Sequence, residues 1–199
     1  MRPARQMLAL IAAVMVLGGG PAWAQTVGAT PAQGNALSRP DNLLPGDAFG
    51  EEVTMAEKTI VYFSGSGMWD SAFETIVDGF KTVNAFLEKQ GLKPAGPPMT
   101  IYTATSDASF QFQAAVPVAE APKDKPQGDI AVGTSPAGKA YKFIHRGSYD
   151  AMDTTYDAIT NFLDEKRIDA KDLFIERYLT DPVTTPEDQL VVEVYVPVK

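Results

Sequence analysis

Two short runs set a carboxylate two residues before a tyrosine: Glu176-Arg177-Tyr178 and Glu193-Val194-Tyr195. Both lie in β-branched and aromatic stretches, residues 173–179 and 190–196, that read as strands. Alternate side chains of a strand share a face. Phe174, Glu176 and Tyr178 therefore lie together with Ile175 and Arg177 behind them, and Glu193 shares a face with Tyr195 away from Val192 and Val194. A carboxylate among aromatic rings holds its proton tightly when unpaired and attracts cations when ionised. Tyrosine and tryptophan faces add about 0.5–2 kcal/mol of cation–π attraction each. A desolvated glutamate can also be poised as a general base near neutral pH. The ordinary alternative is an ion pair with Arg177 or a lysine, and alternation alone leaves open which glutamate faces a groove.

Other chemistries are excluded by what the chain lacks. There is no cysteine and a single histidine, His145, which removes thiolate metal sites, thiol catalysis and iron–sulfur clusters and leaves too few ligands for zinc. His145 itself sits in an alternating strand pattern and reads as a hydrogen-bonded core or edge residue. No glycine-rich phosphate loop is present. The expectation is a site without metal or cofactor.

The N-terminus has Arg2 and Arg5, an apolar run over residues 7–17, a glycine break and Ala22-Trp23-Ala24. That order describes a cleavable secretory signal, cut after Ala24, and the apolar run is shorter than the roughly 20 residues a spanning helix needs. The expected location is the periplasm or the exterior, with no transmembrane segment once the signal is gone. Removing residues 1–24 takes two of the 17 basic side chains and none of the 25 acidic ones, leaving 15 − 25 = −10. So acidic a balance argues against nucleic acid, which demands a basic footprint, and favours a cationic or amphipathic small molecule. Residues 25–51, rich in Ala, Pro, Gly, Gln and Asn, read as a flexible tether. The folded domain is expected over 52–199.

What positions the acids is a duplication. Phe63, Gly67, Trp69 and Asp70 fall opposite Phe143, Gly147, Tyr149 and Asp150 at a separation of 80, while Val83, Phe86, Leu87 and Tyr102 fall opposite Ile159, Phe162, Leu163 and Tyr178 at 76. The first helix is thus predicted to be four residues longer, about one turn. The repeats cover about 57–118 and 137–198, each strand-helix-strand-strand, with two long helices on a mostly antiparallel sheet and a pseudo-twofold groove between modules: an α+β architecture. Ser71 with Glu74 has the spacing of a capping box, and Asp150 and Asp153 are placed to cap the second helix. Thr100 falls opposite Glu176 and Gln113 opposite Glu193, so a groove would be acidic on one side only. Trp69, Tyr102 and Phe112 are candidate aromatic walls from the first module. Met152 and Tyr156 lie on the apolar stripe of the second helix and read as core.

His145-Arg146-Gly147-Ser148-Tyr149, the Glu176-Arg177-Tyr178 run with Asp181-Pro182, and Pro186-Glu187 with the closing residues 192–197 together resemble the GyrI-like small-molecule-binding domain. That family also supplies the effector-binding domain of AraC-type and MerR-type multidrug-responsive regulators. The resemblance covers about residues 57–199. It implies a ligand groove for bulky, apolar, often cationic compounds, held by aromatic residues and one acid. Glu176 is the first choice for that acid and Glu193 the second, with Tyr178, Tyr195, Trp69, Tyr149, Tyr102 and Phe112 as aromatic walls. Some free-standing members resemble hydrolases of small electrophiles, which makes a groove glutamate the general base in the alternative reading. A third reading is an envelope protein-interaction module. The chain carries no helix-turn-helix segment, so the regulators' DNA-binding role does not carry over.

Overall fold

A computed structural model describes Pro40 and residues 42–199. The predicted signal, residues 1–24, and most of the predicted tether lie outside the described residues. The elements run β1 (Phe49–Met55), β2 (Thr59–Met68), α1 (Ala72–Gln90), β3 (Met99–Thr105), β4 (Ser109–Pro117), β5 (Ile130–Thr134), β6 (Gly138–Arg146), α2 (Met152–Lys166), β7 (Ile175–Tyr178) and β8 (Val191–Pro197). The two modules are β2-α1-β3-β4 and β6-α2-β7-β8. Their helices have 19 and 15 residues, the one-turn difference the repeat spacing predicts. Gly91 ends α1 in the left-handed conformation at φ 66°, where a side chain would be strained. Among the described residues no helix is long and apolar enough to cross a membrane.

Eight strands form one antiparallel sheet in the order β1-β6-β8-β7-β3-β4-β2-β5. The modules meet where β7 pairs with β3, and there Thr100 is the register partner of Glu176. These two positions are also repeat equivalents, 76 apart, so the pseudo-twofold axis passes between them. Each module is flanked by the strand that leads into the other: β1 precedes β2 yet pairs with β6, and β5 precedes β6 yet pairs with β2.

This exchange curls the sheet. β1 and β2 stand six strand spacings apart, as do β5 and β6, about 29 Å in a flat sheet at roughly 4.8 Å per strand. Three residues, 56–58 and 135–137, make each connection, and such a link reaches at most about 14 Å. The sheet therefore rolls until its two ends approach. The Ser135 amide donates to the Lys58 carbonyl at 2.8 Å and the Lys58 amide to Ser135 Oγ at 3.0 Å, tying the two crossings together.

Both faces are consequently buried. Apolar stripes of α1 and α2 pack with Val61, Phe110, Phe112, Phe143, Tyr178 and Val194 on one face, while Ile60, Met99, Ile101, Ala140, Ile175 and Tyr195 form a second cluster inside the roll. No helix covers that second cluster.

Three local expectations are corrected. The tether reading to residue 51 overruns strand β1, whose sequence FGEEVTM has too little apolar alternation to announce a strand. Residue Asp47 ahead of it is already fixed by a two-point ion pair to Arg146, at 2.7 and 2.8 Å. The capping box at Ser71 does not form: Ser71 makes no side-chain cap bond, because a 3-10 turn, Trp69–Ser71, leads into α1. The same turn occurs at Tyr149–Ala151, so the capping side chain is Ser148, whose Oγ accepts the Asp150 amide, and α2 itself has Ala151 at its N-cap.

Strand β1 enters through a bulge at Gly50, with φ 79° and a methyl-sized space already filled by the Phe162 ring. Gly50→Ala is expected to cost about 1–2 kcal/mol for the left-handed conformation and about 1–3 kcal/mol more for overpacking. Gly46→Ala, at φ 92° in open space, carries only the first cost. Urea unfolding of both variants measures the difference, and equal losses would remove the Phe162 contact as an anchor of β1.

Candidate functional site

Glu176 is completely buried, and its carboxylate is ringed by four phenols. Tyr178 donates to Oε2 at 2.7 Å and Tyr156 to Oε1 at 2.8 Å, and Tyr102 lies 3.1 Å from Oε1 and Tyr149 3.2 Å from Oε2. The Tyr102 and Tyr149 hydroxyls are also 2.7 Å from one another. Each oxygen thus faces two phenols; each phenol has a single proton, and since one of Tyr102 and Tyr149 donates to the other, three of the four donate to the carboxylate. All its partners are neutral. Glu176 has no ion pair among the described residues.

Strand alternation and the helix starts explain the convergence. Glu176 and Tyr178 share the helix-side face of β7, and Tyr102 reaches the same place from β3, its repeat equivalent. Tyr149 comes from the turn before α2, where Gly147, at φ 109°, redirects the chain out of β6. Tyr156 is on the first turns of α2. Phe73 of α1 stacks on Tyr149 with ring centres 5.1 Å apart, and Phe174 meets Tyr156 edge-on at 5.5 Å. The Phe73–Tyr149 stack joins the two modules over the carboxylate. Tyr102 and Tyr178 are buried, whereas the rings of Tyr149 and Tyr156 are partly exposed; those two form the outer side of the cage.

Burial governs the electrostatics. Loss of solvent raises the Glu176 pKa, and the surrounding phenols, Tyr178 first, offset it only in part. Burial likewise pushes the phenols of Tyr102, Tyr149, Tyr156 and Tyr178 well above the tyrosine range, with the Glu176 charge adding to the effect. The phenols therefore stay protonated donors.

The other predicted wall residues divide. Trp69 packs against Tyr102 at 5.9 Å and Phe110 at 4.7 Å and donates its indole N–H to the Ser106 carbonyl, so it borders the cage. Phe112 lies behind Phe110 under α1, one ring further away. Glu193 and Tyr195 lie on the opposite face of the sheet: Arg177 is the register partner of Glu193, bonds its Oε2 through Nε at 2.6 Å and through Nη2, and stacks over Tyr195 at 5.0 Å. Tyr195 donates to the same oxygen at 2.9 Å. The two acid-tyrosine pairs thus face different sides. Tyr156, read from the sequence as core, is a direct partner of Glu176; a phenol on an otherwise apolar stripe was the available signal, since buried tyrosine hydroxyls seek a partner.

His145 is buried. Its Nε2 lies 3.1 Å from the Ser148 carbonyl and its Nδ1 2.8 Å from Thr155 Oγ1; the carbonyl can only accept, so Nε2 carries the proton and Nδ1 accepts from Thr155. Burial lowers its pKa. It fastens the Tyr149 turn to α2. Among the described residues no cluster of His, Asp and Glu is placed to hold a metal.

Residues 51–199 match the family described as the GyrI-like small molecule binding domain. The chain belongs to that family. No curated protein matches this GyrI-like chain. Among solved structures, the EcmrR C-terminal domain is similar at a TM-score of 0.62 and 18% identity, over 76% of this chain and 98% of that one. In the EcmrR–DNA complex the TM-score is 0.64 at 16% identity over 76% of this chain, which spans only 57% of that EcmrR chain. A hydrolase from Listeria innocua matches at 0.54 and 12% identity over 77% and 93% of the two chains. SAV2435 bound to tetraphenylphosphonium matches at 0.52 and 14% over 76% and 94%. At these identities the likeness is one of fold.

The folded state holds the Glu176 proton more tightly than the unfolded chain does, so its contribution is fully present below the ordinary value of 4.5 and is lost as pH rises through the folded pKa. Glu176→Gln is therefore expected to gain stability over the wild type with rising pH, the two converging below 4.5; urea midpoints across that range measure this, and a constant difference would contradict it. Tyr178→Phe removes the 2.7 Å bond. It is expected to cost about 1.5–3 kcal/mol where the acid is charged and less where it is protonated, and the cost should shrink in the Glu176→Gln background.

Proposed function

We propose that this domain binds a lipophilic organic cation, with Glu176 as counter-charge and Tyr102, Tyr149, Tyr156 and Tyr178 as the aromatic cage, outside the cytoplasm after removal of residues 1–24. The observation that carries this is a fully buried carboxylate whose four partners are all phenols. A charge left without an opposite charge in a low-dielectric site favours a cation strongly, and the rings around it favour one further. SAV2435, of the same fold, is known bound to tetraphenylphosphonium, a ligand of that class. The acidic net charge of the chain supports the same choice of sign.

The hydrolase reading has the fold of the Listeria innocua protein behind it, and a raised glutamate pKa suits a general base. The geometry favours binding. A base must take a proton from a water that reaches it, and this carboxylate is completely buried with phenols on both oxygens, whereas a cation can act on it through its charge and on the rings through their faces. Access runs past Tyr149 and Tyr156, the partly exposed members.

Equilibrium dialysis of the full chain with tetraphenylphosphonium, and with neutral triphenylphosphine oxide, tests the proposal. The cation is expected to bind, and Glu176→Gln to weaken it by about tenfold or more, 1.4 kcal/mol per decade, while the weaker binding of the neutral compound is unchanged. Equal affinity of wild type and Glu176→Gln for the cation would overturn the counter-charge role. Turnover of an electrophile such as an epoxide, lost in Glu176→Gln while its binding persists, would establish the hydrolase reading instead.

A further inference from the structure

On the face of the sheet away from Glu176, the roll encloses a hollow of about 300 Å³, at the lower end of the range of small-molecule sites. Its apolar walls include Val53 and Met55 of β1, Met99 of β3 and Ile175 of β7, and Lys58 and Arg177 supply its charged lining. The hollow is held open by the fold. The three-residue crossings 56–58 and 135–137 close the roll, and Met55, Lys58 and Pro136 on or beside them are themselves lining residues. Neither helix reaches this side.

The charges there point to an anion. The Arg177 guanidinium is 31% exposed and spends Nε and Nη2 on a single oxygen of Glu193, while a guanidinium has five N–H donors. Tyr195 lies under the guanidinium, with Cζ 5.0 Å from the ring centre. Lys58 has no carboxylate partner among the described residues, and its ammonium lies near Gly96, three residues before the lining residue Met99. The charged lining residues are both basic, Lys58 and Arg177, and with Glu193 beside the hollow set against Arg177 one positive charge is left in excess, in a chain that is acidic as a whole.

We infer that this hollow is a second binding site, taking a small amphiphilic carboxylate whose apolar tail lies against Val53, Met55, Met99 and Ile175 and whose carboxylate meets Arg177 and Lys58. It is independent of the groove reading, because it uses the other face of the sheet and the opposite charge. Arg177 can share its spare donors with a ligand carboxylate while keeping Glu193, the planar fork being suited to carboxylates.

The test is titration of the isotope-labelled full chain with octanoate and with octanol, followed by amide NMR, on the wild type, Lys58→Gln and Glu176→Gln. Octanoate is expected to shift residues of β1, β7 and the 56–58 crossing. Octanol should bind about tenfold more weakly, the scale of one charge-assisted hydrogen bond. Lys58→Gln should weaken octanoate several-fold, and Glu176→Gln should leave it unchanged. Shifts confined to Tyr149 and Tyr156, no shifts at millimolar octanoate, or equal affinity for octanol would each overturn the assignment. Met99→Trp, which fills the hollow from a buried wall, should abolish the shifts; if that variant unfolds, the Lys58→Gln and octanol comparisons decide alone.

Discussion

The arrangement of the helix-side face follows from one buried charge. Moving a carboxylate into a protein interior carries an effective penalty of several kcal/mol even after relaxation, and hydrogen bonds to a charged group return about 1.5–3 kcal/mol each. Three phenols donating to Glu176, with the fourth donating within the Tyr102–Tyr149 pair, are of the size needed to offset that penalty, and the upward pKa displacement says the offset is incomplete. Everything that brings those phenols together is therefore under constraint: the glycine turn before Tyr149, the register of β3 on β7, and the first turns of α2 that carry Tyr156. His145, tying Ser148 to Thr155, belongs to the same set although it never touches the acid.

Symmetry explains why only one acid is present. Thr100 and Glu176 are repeat equivalents and direct register partners across the module junction. Side chains directly opposite in an antiparallel pair stand about 4.5–5.5 Å apart, and like charges there are destabilising. A second carboxylate at position 100 would repel the first in a place neither can leave. The aromatic equivalents carry no such conflict, so Tyr102 and Tyr178 both remain and both turn to the axis. A pseudo-symmetric scaffold thus produces a site with one charge and paired rings.

Much of this was legible. The duplication, the four-residue difference between the helices, the Gly91 stop, and Glu176 with Tyr178 on one face of one strand all follow from spacing and period. The relation of the two glutamates was not. Alternation fixes which neighbours share a face within a strand, but the parity of one strand against another depends on register, and it is the pairing of Arg177 with Glu193 that sends Glu193 to the far side. Strand β1 is not legible because FGEEVTM is stabilised by partners 83–94 residues away, not by its own pattern. Tyr156 was classed with the core because periodicity reports a side chain's direction and says nothing of what its hydroxyl meets.

β7 is the shared wall of both regions. Consecutive residues on it, Glu176 and Arg177, point to opposite faces, one into the phenol cage and the other to the hollow beside Glu193. The strand is only four residues long and central in the sheet, held by β3 on one side and β8 on the other. Its two charges are of opposite sign and are treated differently: the acid is sealed from solvent and lacks an ionic partner, the base is paired and partly open. The sealed charge makes the empty domain less stable than a neutral isostere would, and on the proposed reading a cation bound beside it would recover that loss, because a ligand stabilises only the folded state in which the charge is buried. Affinity for such a cation would thus be drawn from a cost already incurred in folding, a cost that a glutamine at position 176 would not carry.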